Sequence, residues 1–251
     1  MKNTLIFGAA AAALMMAAAP AHANGYVGLS YQDADDANVE STAISGSALL
    51  TGHIQVDGSY ANLEAGGADA DLFNIGGHAF VRDQQWMWGG YLGFSNLDAG
   101  GGADIDEWTL AAQAAYYMAR TTLSGSLGYS EADTGGPDVE TIALDGEARH
   151  FFTDNFSGQF NAGFGNAEQL GVDVDFTTVG VGAEFQLASA PVSFFGGYQH
   201  IDVDGGGDND SIGVGVRWNW GGSLIERNRS GAGLNRPLGF IERSVGEISP
   251  R

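Results

Sequence analysis

The chain has 251 residues, 40 of them glycine, and a formal net charge of −21. Its 10 Lys and Arg against 31 Asp and Glu exclude nucleic acid as a partner, because nucleic-acid binding needs a basic surface. The absence of cysteine excludes disulfides, thiolate metal sites and a lipid-modified N-terminal cysteine. Disorder is also disfavoured, because aromatic and β-branched residues are abundant.

The first 23 residues have the pattern of a secretory signal peptide. Lys2 supplies a positive charge, residues 5–19 form an apolar run, and Ala21-His22-Ala23 matches a small-residue cleavage site. A transmembrane anchor is the alternative, but the run is too short and lacks flanks that would stop transfer. We therefore expect an exported mature chain that begins at Asn24.

Alternation of apolar and polar residues is the main pattern in the rest of the chain. Near its end, Ile212, Val214 and Val216 fall on one face and the residues between them on the other. A period of two predicts a β-strand. Twelve segments share it, and most have the length that a tilted strand needs to cross a bilayer. They span residues 25–32, 39–49, 52–62, 70–82, 86–97, 106–118, 121–131, 138–151, 155–166, 173–187, 192–202 and 209–220.

The connections between these segments alternate between two kinds. Some are short, such as Leu50-Thr51, and others are longer, acidic and mostly rich in glycine, such as residues 65–69 and 99–105. In an up-and-down membrane barrel, short turns lie in the periplasm and longer loops lie outside. Residues 24–220 are therefore predicted to form an all-β, transmembrane, up-and-down antiparallel β-barrel of about 12 strands, with short periplasmic turns and acidic Gly-rich extracellular loops.

Aromatic residues support a membrane barrel independently. On this topology they gather near both ends of the strands and flank a band of small and aliphatic residues, as in the girdles of lipid-spanning barrels. A soluble β-sandwich is the alternative, but it would not sort its turns by length and charge. Residues assigned to the girdles include Trp86, Trp88, Tyr116, Tyr117, Phe151, Phe152, Phe156, Phe194, Phe195, Trp218 and Trp220 at the periplasmic ends, and Tyr31, Tyr60, Phe73, Phe94, Trp108, Tyr129, Phe164, Phe176 and Tyr198 at the outer ends.

The last predicted strand contains a short assembly motif. Gly215, Trp218 and Trp220 resemble the final-strand signal that the barrel-assembly machinery recognises, with Gly213 in place of the preferred polar residue. About thirty residues follow the signal, which usually ends the chain. With the signal peptide, residues 1–220 resemble the small porin-like outer-membrane β-barrel proteins of Gram-negative bacteria. The resemblance implies residence in the cell outer membrane and, as partners, outer-membrane lipid, lipopolysaccharide, the barrel-assembly machinery and periplasmic chaperones.

Several charged residues are expected to face the lumen near the periplasmic end. One interpretation is a mixed-charge constriction that biases passage by charge. The other is an ion-pair network that fills and closes the lumen, and the alternation leaves both open. Those expected toward the periplasmic end are Glu147, Arg149, Glu184 and Arg217, and the residues assigned to the lumen as a whole are Asp145, Glu147, Arg149, Glu184, Arg217, Asp57 and His78.

The outer rim carries a concentration of carboxylates without Lys or Arg. Carboxylates and backbone oxygens in Gly-rich loops are ligands for hard cations, so loosely bound Ca²⁺ or Mg²⁺ is one expectation and diffuse counterion attraction is the other. No resident cofactor is expected, and no specific metal ligand is assigned. The rim residues are Asp69, Asp71, Asp104, Asp106, Asp138, Asp173, Asp175, Asp208 and Asp210.

The pattern gives little support for an enzyme. His200 is followed two places on by Asp202 rather than by the serine that an outer-membrane phospholipase would need. A single histidine near acids in so acidic a rim is expected by chance. We therefore expect a protein that is not an enzyme.

Residues 221–251 differ from the barrel in charge, with five arginines against three glutamates. Low apolar content predicts a periplasmic tail that is disordered or docked, and an alternative is that it folds into the acidic lumen as a plug. The whole pattern predicts a channel for passive diffusion of small hydrophilic solutes with a preference for cations. The alternative is a structural or adhesive barrel whose acidic loops bind divalent cations, lipopolysaccharide or a surface partner.

Overall fold

A computed structural model describes residues 24–35, 39–100, 104–230 and 233–245. The predicted signal peptide, residues 1–23, lies outside the described residues, as do residues 36–38, 101–103, 231–232 and 246–251. Among the described helices, none has both the length and the apolar character needed to cross a bilayer.

Twelve antiparallel strands form a closed barrel, as the alternation predicted. Each strand pairs with its neighbours in sequence, and the first pairs with the last from Gly25 opposite Trp220 to Ala34 opposite Ser211. Two short helices follow the last strand. The elements are β1 Gly25–Ala34, β2 Val39–Thr51, β3 Ile54–Ala65, β4 Ala68–Arg82, β5 Trp86–Asp98, β6 Asp104–Tyr117, β7 Thr121–Asp133, β8 Val139–Thr153, β9 Phe156–Gln169, β10 Val172–Gln186, β11 Val192–Val203, β12 Gly207–Trp220, α1 Leu224–Ser230 and α2 Phe240–Ser244.

We call the end where β1 begins and β12 ends the lower rim, and the opposite end the upper rim. At the upper rim the strands run further than the alternation indicated. The predicted loop 65–69 is a two-residue turn, in which Gly66 and Gly67 have φ of 58° and 85°. Positive φ at both central positions is the geometry of tight hairpins, and glycine adopts it without a steric penalty. Acidic residues assigned to that loop therefore lie on paired strands.

The outer wall of the barrel is apolar. Leu92, Leu127 and Ile142 are each more than half exposed, and they alternate with residues that face inward. Aromatic rings cluster on this wall near the lower rim, where Trp86 stacks on Trp88 with ring centroids 5.4 Å apart. An exposed apolar band with aromatic residues at its edges is the surface that a barrel presents to lipid.

Four of the aromatic residues assigned to the girdles face inward instead. Each lies at a position of its strand where the side chain points into the barrel, and each is at least nine-tenths buried. Their burial changes the expected lumen, because large rings occupy space that a wall of small polar residues would leave to water. The four are Tyr117, Phe151, Phe176 and Phe195.

Candidate functional site

The lower lumen contains two buried ion pairs. Arg149 Nε lies 3.2 Å from Glu147 Oε1 on the same strand, and Arg217 Nη1 donates to Glu184 Oε2 at 3.1 Å across two strands. All four side chains are less than one-tenth exposed. Alternation on β8, β10 and β12 directs these side chains inward. Because a buried charge is costly without a partner, the pairing is what allows them to remain in the lumen.

Asp57 and His78 form a second polar cluster on the inner wall. His78 Nε2 lies 2.5 Å from Asp57 Oδ2, and His78 Nδ1 lies 2.7 Å from Gln113 Oε1. Gln55 donates a further hydrogen bond to Asp57 Oδ1 at 2.9 Å. Both ring nitrogens of His78 are therefore engaged, and the cluster crosslinks β3, β4 and β6.

The chain after β12 turns back into the lumen. Gly221 and Gly222, with φ of 105° and 95°, make the reversal, and α1 follows at the lower rim. Ser223 and Glu226 cap α1 reciprocally: the Ser223 N–H donates to Glu226 Oε2 at 2.9 Å, and the Glu226 N–H donates to Ser223 Oγ at 3.4 Å. The Ser223 backbone and hydroxyl donors hold the pKa of the Glu226 carboxyl below its usual value.

Helix α1 is fixed to the lower rim by polar contacts. Arg227 Nη2 lies 3.5 Å from Glu184 Oε1, so Glu184 has two arginine partners. Thr122 Oγ1 donates to Asn228 Oδ1 at 2.6 Å, and Arg229 donates to the carbonyl of Met118. The helix therefore lies across the mouth through which the chain enters.

Above α1 the chain rises along the inner wall. The Gln55 amide makes two hydrogen bonds to the backbone of Leu234, donating to its carbonyl at 2.9 Å and accepting from its N–H at 3.1 Å. Gln113 donates to the Asn235 carbonyl at 2.7 Å. Arg236 Nη1 donates to Ser59 Oγ at 3.1 Å, halfway up the barrel.

The upper lumen holds α2. Glu107 accepts hydrogen bonds from the backbone N–H groups of Phe240 and Ile241, the latter at 2.9 Å. Arg243 Nη2 lies 2.7 Å from Asp145 Oδ2, and its guanidinium sits 5.0 Å from the centroid of the Phe176 ring.

Ile241 is completely buried in an apolar cluster built from the upper ends of the first four strands. Its partners there are Ala34, Val39, Ala61, Leu63 and Leu72. We call the described residues 221–230 and 233–245 the C-terminal segment. It extends from the lower rim to the upper rim inside the barrel.

The spaces beside the C-terminal segment are small. Cavities of about 40, 70 and 50 Å³ lie between it and the wall. A water molecule needs roughly 10–15 Å³ of such volume, so each cavity has room for a few waters and not for a larger solute. A larger space of about 520 Å³ lies above α2, between Phe240 and apolar residues of β8, β10 and β11. The described residues therefore form a filled barrel with an open upper vestibule.

The acidic residues of the upper rim do not form a cluster of metal ligands in the described part of the chain. Asp71, Asp106, Asp175 and Asp210 each accept a hydrogen bond from a side chain on a neighbouring strand. His200 contacts Asp210 at 2.8 Å, and no contact joins it to Asp202 in the described structure. Within the described ranges, no group of three or more His, Asp or Glu is arranged to hold a metal ion. The exposed rim carboxylates are Asp69, Asp104, Asp138, Asp173 and Asp208.

The residues of the assembly motif lie on β12. Trp218 faces outward and is 55 % exposed, whereas Trp220 is half-buried where β12 meets Gly25 of β1. Gly215 faces inward beneath the Phe195 ring, and a Cβ there would lie 2.2 Å from that ring. Glycine at this position therefore lets an aromatic ring pack into the wall.

The wall residues that hold the C-terminal segment are not among the site residues predicted from the sequence. The sequence pattern assigned no role to Gln55, Ser59, Ser95, Glu107 or Gln113. Their partners are the backbone groups of Leu234, Asn235, Phe240 and Ile241 and the side chains of Arg236 and Glu242. The one available signal was the opposite charge of the barrel and the tail, which had suggested a plug as an alternative.

Comparison with known proteins shows similarity at the level of structure. No known protein family matches the sequence, and no curated protein is significantly similar. The NanC porin superposes with a TM-score of 0.61 at 9 % identity, over 77 % of this chain and 100 % of that one. The KdgM porin gives 0.57 at 9 % identity, over 78 % and 99 %. The chain thus has the fold of the small porin-like outer-membrane β-barrels.

Proposed function

We propose that this protein is an outer-membrane channel for passive diffusion of small hydrophilic solutes, closed by its own C-terminal segment. One observation carries the proposal: the barrel is filled by a tethered segment and not mainly by the side chains of its own strands. A lumen filled by strand side chains cannot empty without unfolding. A segment that is joined to the barrel only after Trp220 can move while all twelve strands stay paired.

The location proposed for the barrel is the cell outer membrane, with the lower rim in the periplasm. The apolar outer wall, the predicted signal peptide and the fold shared with porins support it. Both ends of the barrel then lie on the side from which an exported chain arrives. Lipopolysaccharide, the assembly machinery and periplasmic chaperones are the partners this location implies.

The proposed preference is for cations. With the C-terminal segment displaced, acidic side chains of the inner wall outnumber its arginines, and the upper rim adds further carboxylates. A negative mouth raises the local concentration of cations, and added salt screens this effect. The inward acidic residues are Asp57, Glu107, Asp145, Glu147 and Glu184, against Arg82, Arg149 and Arg217.

The KdgM porin has also been solved with oligogalacturonate. An acidic polymer of that kind is a poor candidate for this chain, because its inner wall carries more acids than arginines. The comparison therefore supports the fold and not a shared substrate.

A reversible crosslink tests the proposed function. Ser95 Oγ lies 2.8 Å from Glu242 Oε1, so cysteines at both positions would lie within reach of a short bis-methanethiosulfonate, which forms a disulfide with each thiol and releases two sulfinates. The chain has no native cysteine, so the reaction is confined to the introduced pair. In planar bilayers we expect openings that the crosslink abolishes and that reductant restores, with Ser95→Cys alone as the control. Cation preference is measured from the reversal potential in a salt gradient.

A structural barrel is the second candidate, in which the segment is a permanent filling. The small size of the cavities beside the C-terminal segment favours it. In this case the uncrosslinked and reduced proteins would both insert into the bilayer and stay silent. That result would refute the channel, and the acidic rim would become the surface to test for binding of divalent cations, lipopolysaccharide or a surface partner.

A further inference from the structure

The inner wall binds the backbone of the C-terminal segment, independently of side-chain identity. Gln55 pairs with both the N–H and the carbonyl of Leu234. Gln113 donates to the next carbonyl, and Glu107 accepts from two consecutive N–H groups, at residues 240 and 241. Backbone groups are common to all peptides, so these contacts define a site for a peptide backbone that is non-helical at residues 234 and 235 and helical from residue 240.

The inner wall also contacts an arginine side chain of the C-terminal segment at three heights in the barrel. Arg227 meets Glu184 at the lower rim, at 3.5 Å. Arg236 donates to Ser59 Oγ at mid-barrel. Arg243 pairs with Asp145 in the upper lumen and lies over an aromatic ring. A planar guanidinium suits carboxylate pairing and ring stacking together, which a compact ammonium does less well.

We propose that the lumen is a binding site for arginine-containing peptides, and that the C-terminal segment occupies it as an internal ligand. For transport of such peptides the inference rests on the proposed channel function; for binding it stands alone. The tether raises the effective concentration of the segment at the site, so a free peptide binds only after the segment has left.

The test uses the complete chain, cut after folding. A recognition sequence for a specific protease is inserted between the exposed Gly221 and Gly222, and the folded protein is cleaved without loss of any residue. A fluorescent synthetic peptide of residues 222–245 is then added, and its binding is followed by anisotropy. The uncut protein is the matched control, and it should bind little peptide because its own segment remains tethered.

Two further peptides test the chemistry. One carries Gln in place of Arg227, Arg236 and Arg243, and we expect about ten-fold weaker binding for each arginine removed, since each loses a charge-assisted hydrogen bond. The other has an unrelated sequence that keeps the three arginines and Ile241 at the same spacing, and it should bind nearly as well as the native peptide. Equal binding of the native and the Gln peptide would overturn the arginine requirement. Failure of the unrelated peptide would overturn the general peptide site.

If the cut segment leaves slowly, it could block the added peptide. A second cleaved protein, with Arg243→Gln in its own C-terminal segment, serves as the control for this effect. This change weakens the resident segment and leaves the wall intact, so exchange with the fluorescent peptide should be faster. No binding to this protein would also overturn the proposal. Conductance of the same samples separates the two hypotheses: peptide binding without ion flow would refute the channel alone, whereas ion flow without peptide binding would refute the peptide site alone.

Discussion

The contact between Asp145 and Arg243 is expected to control how often the C-terminal segment leaves the upper lumen. The two side chains are 17 % and 7 % exposed, and their closest atoms are 2.7 Å apart. Asp145→Asn removes the charge on the wall while keeping the size of the side chain. It leaves the buried guanidinium of Arg243 without its carboxylate partner.

The size of the effect follows from the burial of the pair. A hydrogen bond between charged groups contributes about 1.5–3 kcal/mol, and breaking a fully buried ion pair costs about 3–5 kcal/mol. Asp145 is partly exposed, and the Phe176 ring remains beneath the guanidinium. We therefore take the cost of Asp145→Asn to the closed state as about 2 kcal/mol. That value raises the ratio of open to closed states about 30-fold.

Single-channel recording measures this ratio directly, and hydrogen exchange of the backbone amides in residues 233–245 measures it without ion flow. Glu140→Gln is the matched control, because Glu140 lies on the same strand and faces outward. In the double variant Asp145→Asn/Arg243→Gln, the effects should fall short of additive, since both changes remove one interaction. Unchanged exchange and unchanged opening in Asp145→Asn would refute the assignment of this pair as an anchor of the segment.

Two predictions concern the wall itself. Arg217→Ala leaves Glu184 with fewer charge partners and removes a guanidinium packed over two aromatic rings, so we expect the barrel to lose about 3–5 kcal/mol of stability. The measurement is the temperature at which the folded barrel converts to the unfolded band on a gel. Gly93→Ala places a Cβ 2.3 Å from the Tyr91 hydroxyl and should destabilise the barrel by about 1–3 kcal/mol, whereas Gly52→Ala meets nothing within 4 Å and should be nearly neutral in the same assay.

The barrel was predictable because its signal is repeated in every strand. Alternation along some ten residues fixes strand, parity and register together, since a shift of one residue would exchange the two faces. The upper strand ends were harder to place, because residues 65–69 resemble a loop by composition. In the structure, Glu64 pairs with Asp69 and Ala65 with Ala68, and these backbone pairs extend the β3–β4 ladder.

The misplaced aromatic residues show that the position of a residue along a strand does not by itself tell whether its side chain faces the lipid or the lumen. Phe176 had been assigned to a girdle from its depth alone. Its parity matches that of Thr178 and Gly180, which are buried on the inner face. The same alternation that predicted the strand therefore already indicated that this ring faces inward.

The filling of the lumen could not be derived in the same way. Helices of seven and five residues are too short to show a period, and the segment between them has none. The wall residues bind the segment in part through its backbone, and contacts of that kind leave no mark in the sequence. Only the charge difference between the barrel and residues 221–251 was visible, and charge alone cannot distinguish docking at the rim from entry into the lumen.

The contacts of the C-terminal segment are unequal along its length, and this decides how it can leave. At mid-barrel, Gln55 and Gln113 bind backbone groups that water can also satisfy, so each of those bonds contributes about 0.5–1.5 kcal/mol to the balance between bound and released states. At the upper end, Ile241 is completely buried in an apolar cluster, and burial of such a side chain contributes about 1.5–3 kcal/mol. Helix α2 also carries Arg243 and borders the open upper vestibule. The apolar anchor of the segment thus lies beside the upper vestibule, at the end of the segment furthest from its tether, so loss of the Ile241 and Arg243 contacts would free that end first while α1 stays fixed to the lower rim.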